Sequence, residues 1–429
     1  MDTPETGLKG RAVAFLRFTE RYTKTDMVYL FQSGGWLFFG QAAGLLLSLM
    51  LAIVFGHYAT QDTYGNYKYI LSVASVLGVL SLSGVGTAVV RAVARGEEGT
   101  LHQGLVLTLK WSGGILIAGA VASAYYWLQG NHFASLSLLV AALTLPFING
   151  FSLYDAFLTG RRSFRLDMLF SIGSIAFTTL TLVATLLFFS QRAVVLVALY
   201  FVTNVASDAL WYFIVKRKVA NDTTDPELGR YGAHLSVMNL IEIIAEKVDS
   251  IAVFILLGPA QLAVYAYAIA MPEQFKGVAK SITSLSLAKF AARPIREIRP
   301  NIGRRLLILA LGSAIATVAY IVLAPLLFRY LFPIYIESIH YSEWYALMIV
   351  PTGLAAVLIT ILQAHQKTKA LYIANTTGQV ALILFLPVLT YFYGIAGAVA
   401  SQLIYRGIVL GFSAWQFSIA NDSETSGAL

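Results

Sequence analysis

Apolar runs of about twenty residues recur along this chain from residue 35 to residue 415. A helix of that length rises about 30 Å, the thickness of bilayer hydrocarbon. In lipid such runs must be helices, because the backbone there has no water to satisfy its N–H and C=O groups. The other option, core helices of a soluble protein, fails on composition. Hydrophobic residues make up 58% of the 429 and charged residues 12%. Soluble domains carry about 25% charged residues, so this chain lacks the polar shell that water requires. Disorder is excluded on the same ground. The pattern predicts an all-α polytopic membrane protein of about twelve transmembrane helices. They lie near 35–56, 68–90, 105–128, 134–157, 169–189, 193–215, 234–258, 261–283, 305–328, 343–363, 371–392 and 394–415. The seventh and eighth are the most polar.

The cations set the expected orientation. With the N-terminus inside, twenty-four of the thirty Lys and Arg fall in segments on one side. Lys68, Arg192 and Arg329 fall on the other, and Lys247, Lys276 and Arg406 lie inside spans. This is the bias of a protein whose loops follow the positive-inside rule. It predicts an inner (cytoplasmic) membrane protein with both termini in the cytoplasm. The first run starts too far along to be a cleavable signal peptide.

A polar linker at 216–233 divides the spans into two bundles of six. The expected organisation is a basic N-terminal segment at 1–34, bundles at 35–215 and 234–415, and a tail at 416–429. Residues 11–31 alternate basic and apolar groups, as an amphipathic helix on the inner leaflet or a plain basic tail would. In 285–305, Leu287, Phe290, Ile295 and Ile298 interleave with Lys289, Arg293, Arg296 and Arg299. That pattern suits a helix lying on an anionic surface and is no sign of nucleic-acid binding. Gly40 and Gly44 form a small-xxx-small step that permits close helix approach.

Charges inside spans are the informative residues. A charge at the bilayer centre costs about 2.5–3.5 kcal/mol on insertion scales, so it faces the bundle interior or a watery cavity. Asn239, Glu242, Glu246 and Asp249 recur at helical spacing on one face of the seventh span, with Lys247 beside it. They suit an ion- or proton-coupling site, with an internal ion pair as the alternative. Arg406 lies near the middle of the last span. Its guanidinium stays charged and its fork fits phosphate oxygens, so it suits an anionic head group or a pair with Glu246 or Asp249 across the halves. Glu273 and Lys276 suit a surface pair. Asp208 and Asn204 are four apart in the sixth span, and Asp208 joins the coupling candidates. Arg91 and Arg95 close the inner end of the second span. Arg91 is the better placed to reach a vestibule, or it is a snorkelling boundary residue.

Enzyme chemistry finds little support. There is no cysteine, and the six histidines are scattered. No HExxH, GxxxxGK[ST] or GxSxG motif occurs. Neither a metal nor a cofactor is expected.

Three blocks stand in order near the N-terminus. Gly35-Trp-Leu-Phe-Phe-Gly-Gln41 opens the first span and Tyr64-Gly-Asn-Tyr-Lys-Tyr69 follows it. Leu80-Ser-Leu-Ser-Gly-Val-Gly-Thr-Ala-Val-Val-Arg91 closes the second. Over residues 30–100 the chain resembles the oligosaccharide flippases of polysaccharide biosynthesis (Wzx-like). These belong to the superfamily that also holds multidrug extruders and the peptidoglycan-precursor flippase. The resemblance implies a MATE-like, MOP flippase fold of two inverted-V bundles. It implies movement of a polyprenyl-linked oligosaccharide from the inner to the outer leaflet by alternating access, without covalent catalysis. In such flippases a cationic cavity holds the pyrophosphate and acidic sugars, a role that would fall here to Arg91, Lys247 and Arg406. The acidic face at Glu242, Glu246 and Asp249 departs from that pattern. The expected partners are the lipid-linked glycan, membrane lipids, and a polymerase and glycosyltransferases of the same pathway. The rival expectations are a cation-coupled exporter of small amphiphiles, a membrane-embedded glycosyltransferase or ligase, and a purely structural membrane protein.

Overall fold

The computed structural model describes residues 27–189, 191–291 and 294–419. The described residues form helices joined by short turns, apart from a longer irregular linker at 217–227. α1 spans Met27–Tyr58. α2 (Gln61–Gly78) and α3 (Val85–Ala94) are arms of one apolar segment, bent by 54° at a short 3-10 turn. α4 (Thr100–Trp111) runs into α5 (Gly113–Leu128), and α6 (His132–Phe151) into α7 (Leu153–Gly160). α8 (Phe164–Phe188) and α9 (Ala193–Lys216) complete the N-terminal half. The C-terminal half holds α10 (Leu228–Leu257), α11 (Pro259–Ala291) and α12 (Ile295–Leu331). It ends with α13 (Ser338–Ala346), α14 (Ile349–Ala364) and α15 (Thr368–Ile419).

Eight helical stretches are long and apolar enough to cross a membrane, or nine if the bent α2–α3 pair is one span. The expected count of twelve differs for two physical reasons. α10 and α11 carry Glu242, Glu246, Lys247, Asp249, Glu273 and Lys276, so neither is among the apolar stretches. α15 counts once, as a stretch of 47 residues, yet it is a hairpin. Gly394 breaks it with φ 61° and ψ −140°, a conformation glycine adopts without steric cost. The arms then fold back closely. A Cβ on Gly397 would lie 1.9 Å from the Leu389 carbonyl oxygen, and one on Gly378 would lie 2.5 Å from a Val409 methyl.

Two other expectations change. The second span is not a continuous helix over 68–90. Leu82 takes φ 64°, a left-handed conformation unusual for a branched side chain. Asn149 Nδ2 donates to Ser81 Oγ (2.6 Å) and to the Gly78 carbonyl (3.4 Å), which satisfies the interrupted backbone from the side. Nor is 285–305 one surface helix. Pro294 begins a new helix, and Ile295, Ile298 and Ile302 are buried against Leu358, Ile361 and Leu362. A neighbouring helix, not the lipid surface, takes that apolar face. Most of the basic 11–31 segment lies outside the described residues, as does the tail after 419. The Gly40/Gly44 step does serve close approach: Gly40 faces Met168 and Gly44 faces Ile175, both on α8.

The cores show how the halves meet. One cluster runs from Phe55 and Tyr64 through Tyr267 and Tyr335 to Ile395, drawing on both halves. At the opposite end the packing divides. Val89, Phe157 and Tyr212 of the N-terminal half form one cluster with Leu228 at the very start of α10, and Ile298, Ile361 and Phe417 form another. The halves therefore share a core at one end and part towards the other, which carries the basic loops.

At the parting end the linker is strapped down. Glu98 accepts Arg161 Nε (2.7 Å), a second Arg161 nitrogen and the Ala220 amide (2.6 Å). Arg95 pairs with Asp225 at 2.6 Å. Asn221 Nδ2 donates to the Gly96 carbonyl at 2.9 Å. The start of α10 also docks on the N-terminal half. The Gly84 amide donates to Ser236 Oγ at 2.9 Å, and a Cβ on Gly84 would lie 2.5 Å from the Gly232 carbonyl oxygen.

Candidate functional site: a charged cavity between the halves

Between the parting halves lies a cavity of about 1720 Å³. α1, α2, α6, α8 and α9 line one wall, and α10, α11 and α15 line the other. Aromatic rings close it at the shared core. Tyr64 lies 4.7 Å from Tyr267, which stacks on Tyr335 at 3.8 Å. The Tyr267 hydroxyl donates to the Ala52 carbonyl at 2.7 Å, and Gln61 Nε2 donates to the Ile334 carbonyl at 3.2 Å. Both bonds join the halves.

Helical spacing brings the acidic residues of α10 to this space. Glu242, Glu246 and Asp249 all line it, as does Lys247. Asn239, on the same face, does not. The three acids differ in surroundings. Asp249 is buried, and its Oδ2 accepts from Tyr265 Oη (2.8 Å) and Gln402 Nε2 (3.0 Å). Its Oδ1 accepts from the Ser250 amide (2.6 Å) and hydroxyl (3.2 Å). It thus ties α10 to α11 and α15. Glu242 and Glu246 are exposed to the cavity and, like Lys247, make no ion pair among the described residues.

Arg406 reaches the cavity from the second arm of α15. Its nearest carboxylate is Glu273, on α11, at 3.9 Å, rather than Glu246 or Asp249. The guanidinium lies over the Tyr405 ring at 4.6 Å, and its buried Nε has no hydrogen-bond partner among the described residues. Glu273 pairs with Lys276 and accepts from the Tyr345 hydroxyl. The expected Glu273–Lys276 pair is present, then, but it sits on the cavity wall and not on an outer surface.

Arg91 and Asp208 are not brought to the cavity. The bend before α3 turns Arg91 aside, so that it is exposed and its guanidinium lies 4.8 Å over the Tyr231 ring. Asp208 is buried inside the N-terminal half near Asp155 and Tyr154. Lys68, expected at the far boundary, lines the cavity instead, with its ammonium 5.6 Å from the Tyr64 ring centre. The signal for it was in the sequence. Lys68, Ser72 and Ser75 recur at helical spacing on one face of an apolar segment. No group of three potential metal-binding side chains occurs among the described residues.

Two parting helical halves thus enclose a cavity with a charged and polar lining. Solved structures agree on the fold. The chain is similar to the inward-facing conformation of a multidrug resistance MATE family transporter of the MOP superfamily. The TM-score is 0.68 at 16% identity, over 90% of this chain and 96% of the other. An outward-facing conformation of such a transporter matches with TM-score 0.62 at 15% identity, over 91% and 94%. The lipid II flippase MurJ, in an inward closed conformation, matches with TM-score 0.66 at 14% identity, over 90% and 87%. No curated protein matches the sequence. The family model for polysaccharide biosynthesis proteins matches residues 30–284, and the chain belongs to that family. At 14–16% identity the likeness to these solved structures is one of fold.

Proposed function

We propose that the protein is a flippase that carries a polyprenyl-linked oligosaccharide from the inner to the outer leaflet by alternating access. The observation that carries this reading is the cavity between the halves, closed at one end by the Tyr64–Tyr267–Tyr335 rings. A volume of about 1720 Å³ exceeds the roughly 300–1,000 Å³ of small-molecule sites. It suits a glycan, while a polyprenyl tail stays in lipid beside the parted halves. On the positive-inside rule the basic end faces the cytoplasm, so the cavity is open to the leaflet where lipid-linked glycans are built. α10, α11 and both arms of α15 then count as spans, which gives twelve in two bundles.

Arg406 and Lys276 are the proposed head-group cations, with Lys247 beside them. The unpartnered Nε of Arg406 leaves a donor for a phosphate oxygen. Glu242 and Glu246 are the proposed coupling carboxylates. Outward movement separates the aromatic closure and brings the basic ends together. Cargo or ion biases these states only through unequal affinity for them.

The test is a vesicle assay with a labelled polyprenyl diphosphate glycan on one leaflet. Purified protein should bring the label within reach of a lectin on the opposite side. The second reading, a cation-coupled exporter of small amphiphiles, is favoured by the open carboxylates of Glu242 and Glu246. It prevails if small cationic amphiphiles move and the lipid-linked glycan does not.

A further inference from the structure

The two walls of the cavity differ in chemistry. Eight charged residues line it, and all but Lys68 belong to the C-terminal half. Four are acidic and four basic, so the lining is formally neutral and holds no excess of cations. The N-terminal wall presents uncharged donors and acceptors: Ser75, Ser81, Ser83, Asn149, Ser152 and Asn204. Several of these gather where the α2–α3 segment is broken. There Asn149 already bonds Ser81 and the Gly78 carbonyl, which fixes its amide at the cavity surface. Lys68 stands apart from this group at the closed end, beside Tyr64.

We infer that the cavity selects its cargo by charge. It takes a glycan of uncharged sugars on the N-terminal wall, and the anionic linkage to the lipid on Arg406, Lys276 and Lys247. This rests on the flippase reading above and narrows its substrate class. Sugar hydroxyls both donate and accept, as do Ser hydroxyls and Asn amides, so the wall satisfies them without any net charge. A buried hydroxyl left without a partner would lose affinity. A sugar carboxylate in the same place finds no cation on that wall except Lys68. Across the cavity it meets Glu242 and Glu246, which have no ion-pair partners among the described residues. Like charges facing each other across the cavity disfavour the wrong ligand.

The experiment uses the full chain in nanodiscs and two probes. One is a polyprenyl diphosphate bearing a short neutral N-acetylhexosamine chain. The other is the same lipid with its terminal sugar oxidised to a uronic acid. Dissociation constants come from native mass spectrometry. The neutral probe is expected to bind about tenfold more tightly or better, the ratio that one unfavourable charge contact produces. Ser75→Lys, a change at an exposed cavity position bonded only to the Leu71 carbonyl, should remove or reverse that preference. Equal or tighter binding of the acidic probe to the unaltered protein overturns the inference and leaves the flippase reading standing. Binding of neither probe by folded protein overturns the flippase reading, and the inference with it.

Discussion

The ring of Tyr64, on α2, lies 4.7 Å from that of Tyr267, on α11, and these two residues join the halves at the closed end of the cavity. Both rings are almost fully buried. Aromatic pairs contribute about 0.5–1.5 kcal/mol beyond their area burial. Tyr267→Ala removes this contact, the stacking on Tyr335 and the bond to the Ala52 carbonyl. The protein has no native cysteine, so a thiol introduced by Ser75→Cys is unique. In that background Tyr267→Ala is expected to raise the labelling rate from the closed side about tenfold, the change that about 1.4 kcal/mol gives. An impermeant maleimide measures it.

The strap on the linker depends on the charge of Glu98. Burial acts to raise its carboxyl, but the Arg161 guanidinium and the Ala220 amide outweigh it, and the group sits below its ordinary 4.5. A depressed carboxyl contributes stability that is fully present above the ordinary value and lost as pH falls through the folded one. The strap should therefore hold at neutral pH and loosen as pH falls below the ordinary carboxyl value of 4.5. Glu98→Gln should weaken it at every pH, by about 2 kcal/mol for a charge-assisted pair. Hydrogen–deuterium exchange at the backbone amides of 217–227, compared between wild type and Glu98→Gln at each pH, reads the loosening directly.

At Asp249 the four acceptor positions are filled by Tyr265, Gln402 and the amide and hydroxyl of Ser250. A bound cation needs free lone pairs. Asp249→Ala strands the Tyr265 and Gln402 donors and should cost about 2–4 kcal/mol of stability. Glu246→Gln should leave the melting temperature within a few degrees and alter the ion dependence of transport. Thermal unfolding and transport under varied cation gradients separate the two effects.

Arg406 offers a planar fork that lysine lacks. Arg406→Lys keeps the charge and should lower glycan movement about tenfold, while Arg406→Ala should lower it about a hundredfold. Equal effects would show that charge alone matters. Initial rates in the vesicle assay decide.

Much of the fold was legible because lipid forces long apolar segments to be helices. The turn between the last two expected spans, at 392–394, is where Gly394 breaks α15. The acidic face of α10 was legible from its spacing, and it lines the cavity. Arg91 lies off the cavity lining, since hydropathy has no term for the bend at the left-handed Leu82 that precedes α3. The 216–233 segment reads only as a polar linker, and the structure adds that Asn221 and Asp225 fasten it to Gly96 and Arg95. Such long-range polar bonds leave no period in a sequence. Lys68 was assigned to a boundary because it opened an apolar run, although its stripe with Ser72 and Ser75 marked a polar face.

The most direct test locks the closed end. Gln61 and Ile334 meet across the halves there, so Gln61→Cys with Ile334→Cys should be bridged by a short bis-methanethiosulfonate reagent that spans the length of the lost glutamine side chain. Crosslinked protein in vesicles should fail to move a labelled polyprenyl diphosphate glycan between leaflets, and reduction should restore the movement. A crosslinked protein that moves the glycan at an undiminished rate would contradict passage through this cavity.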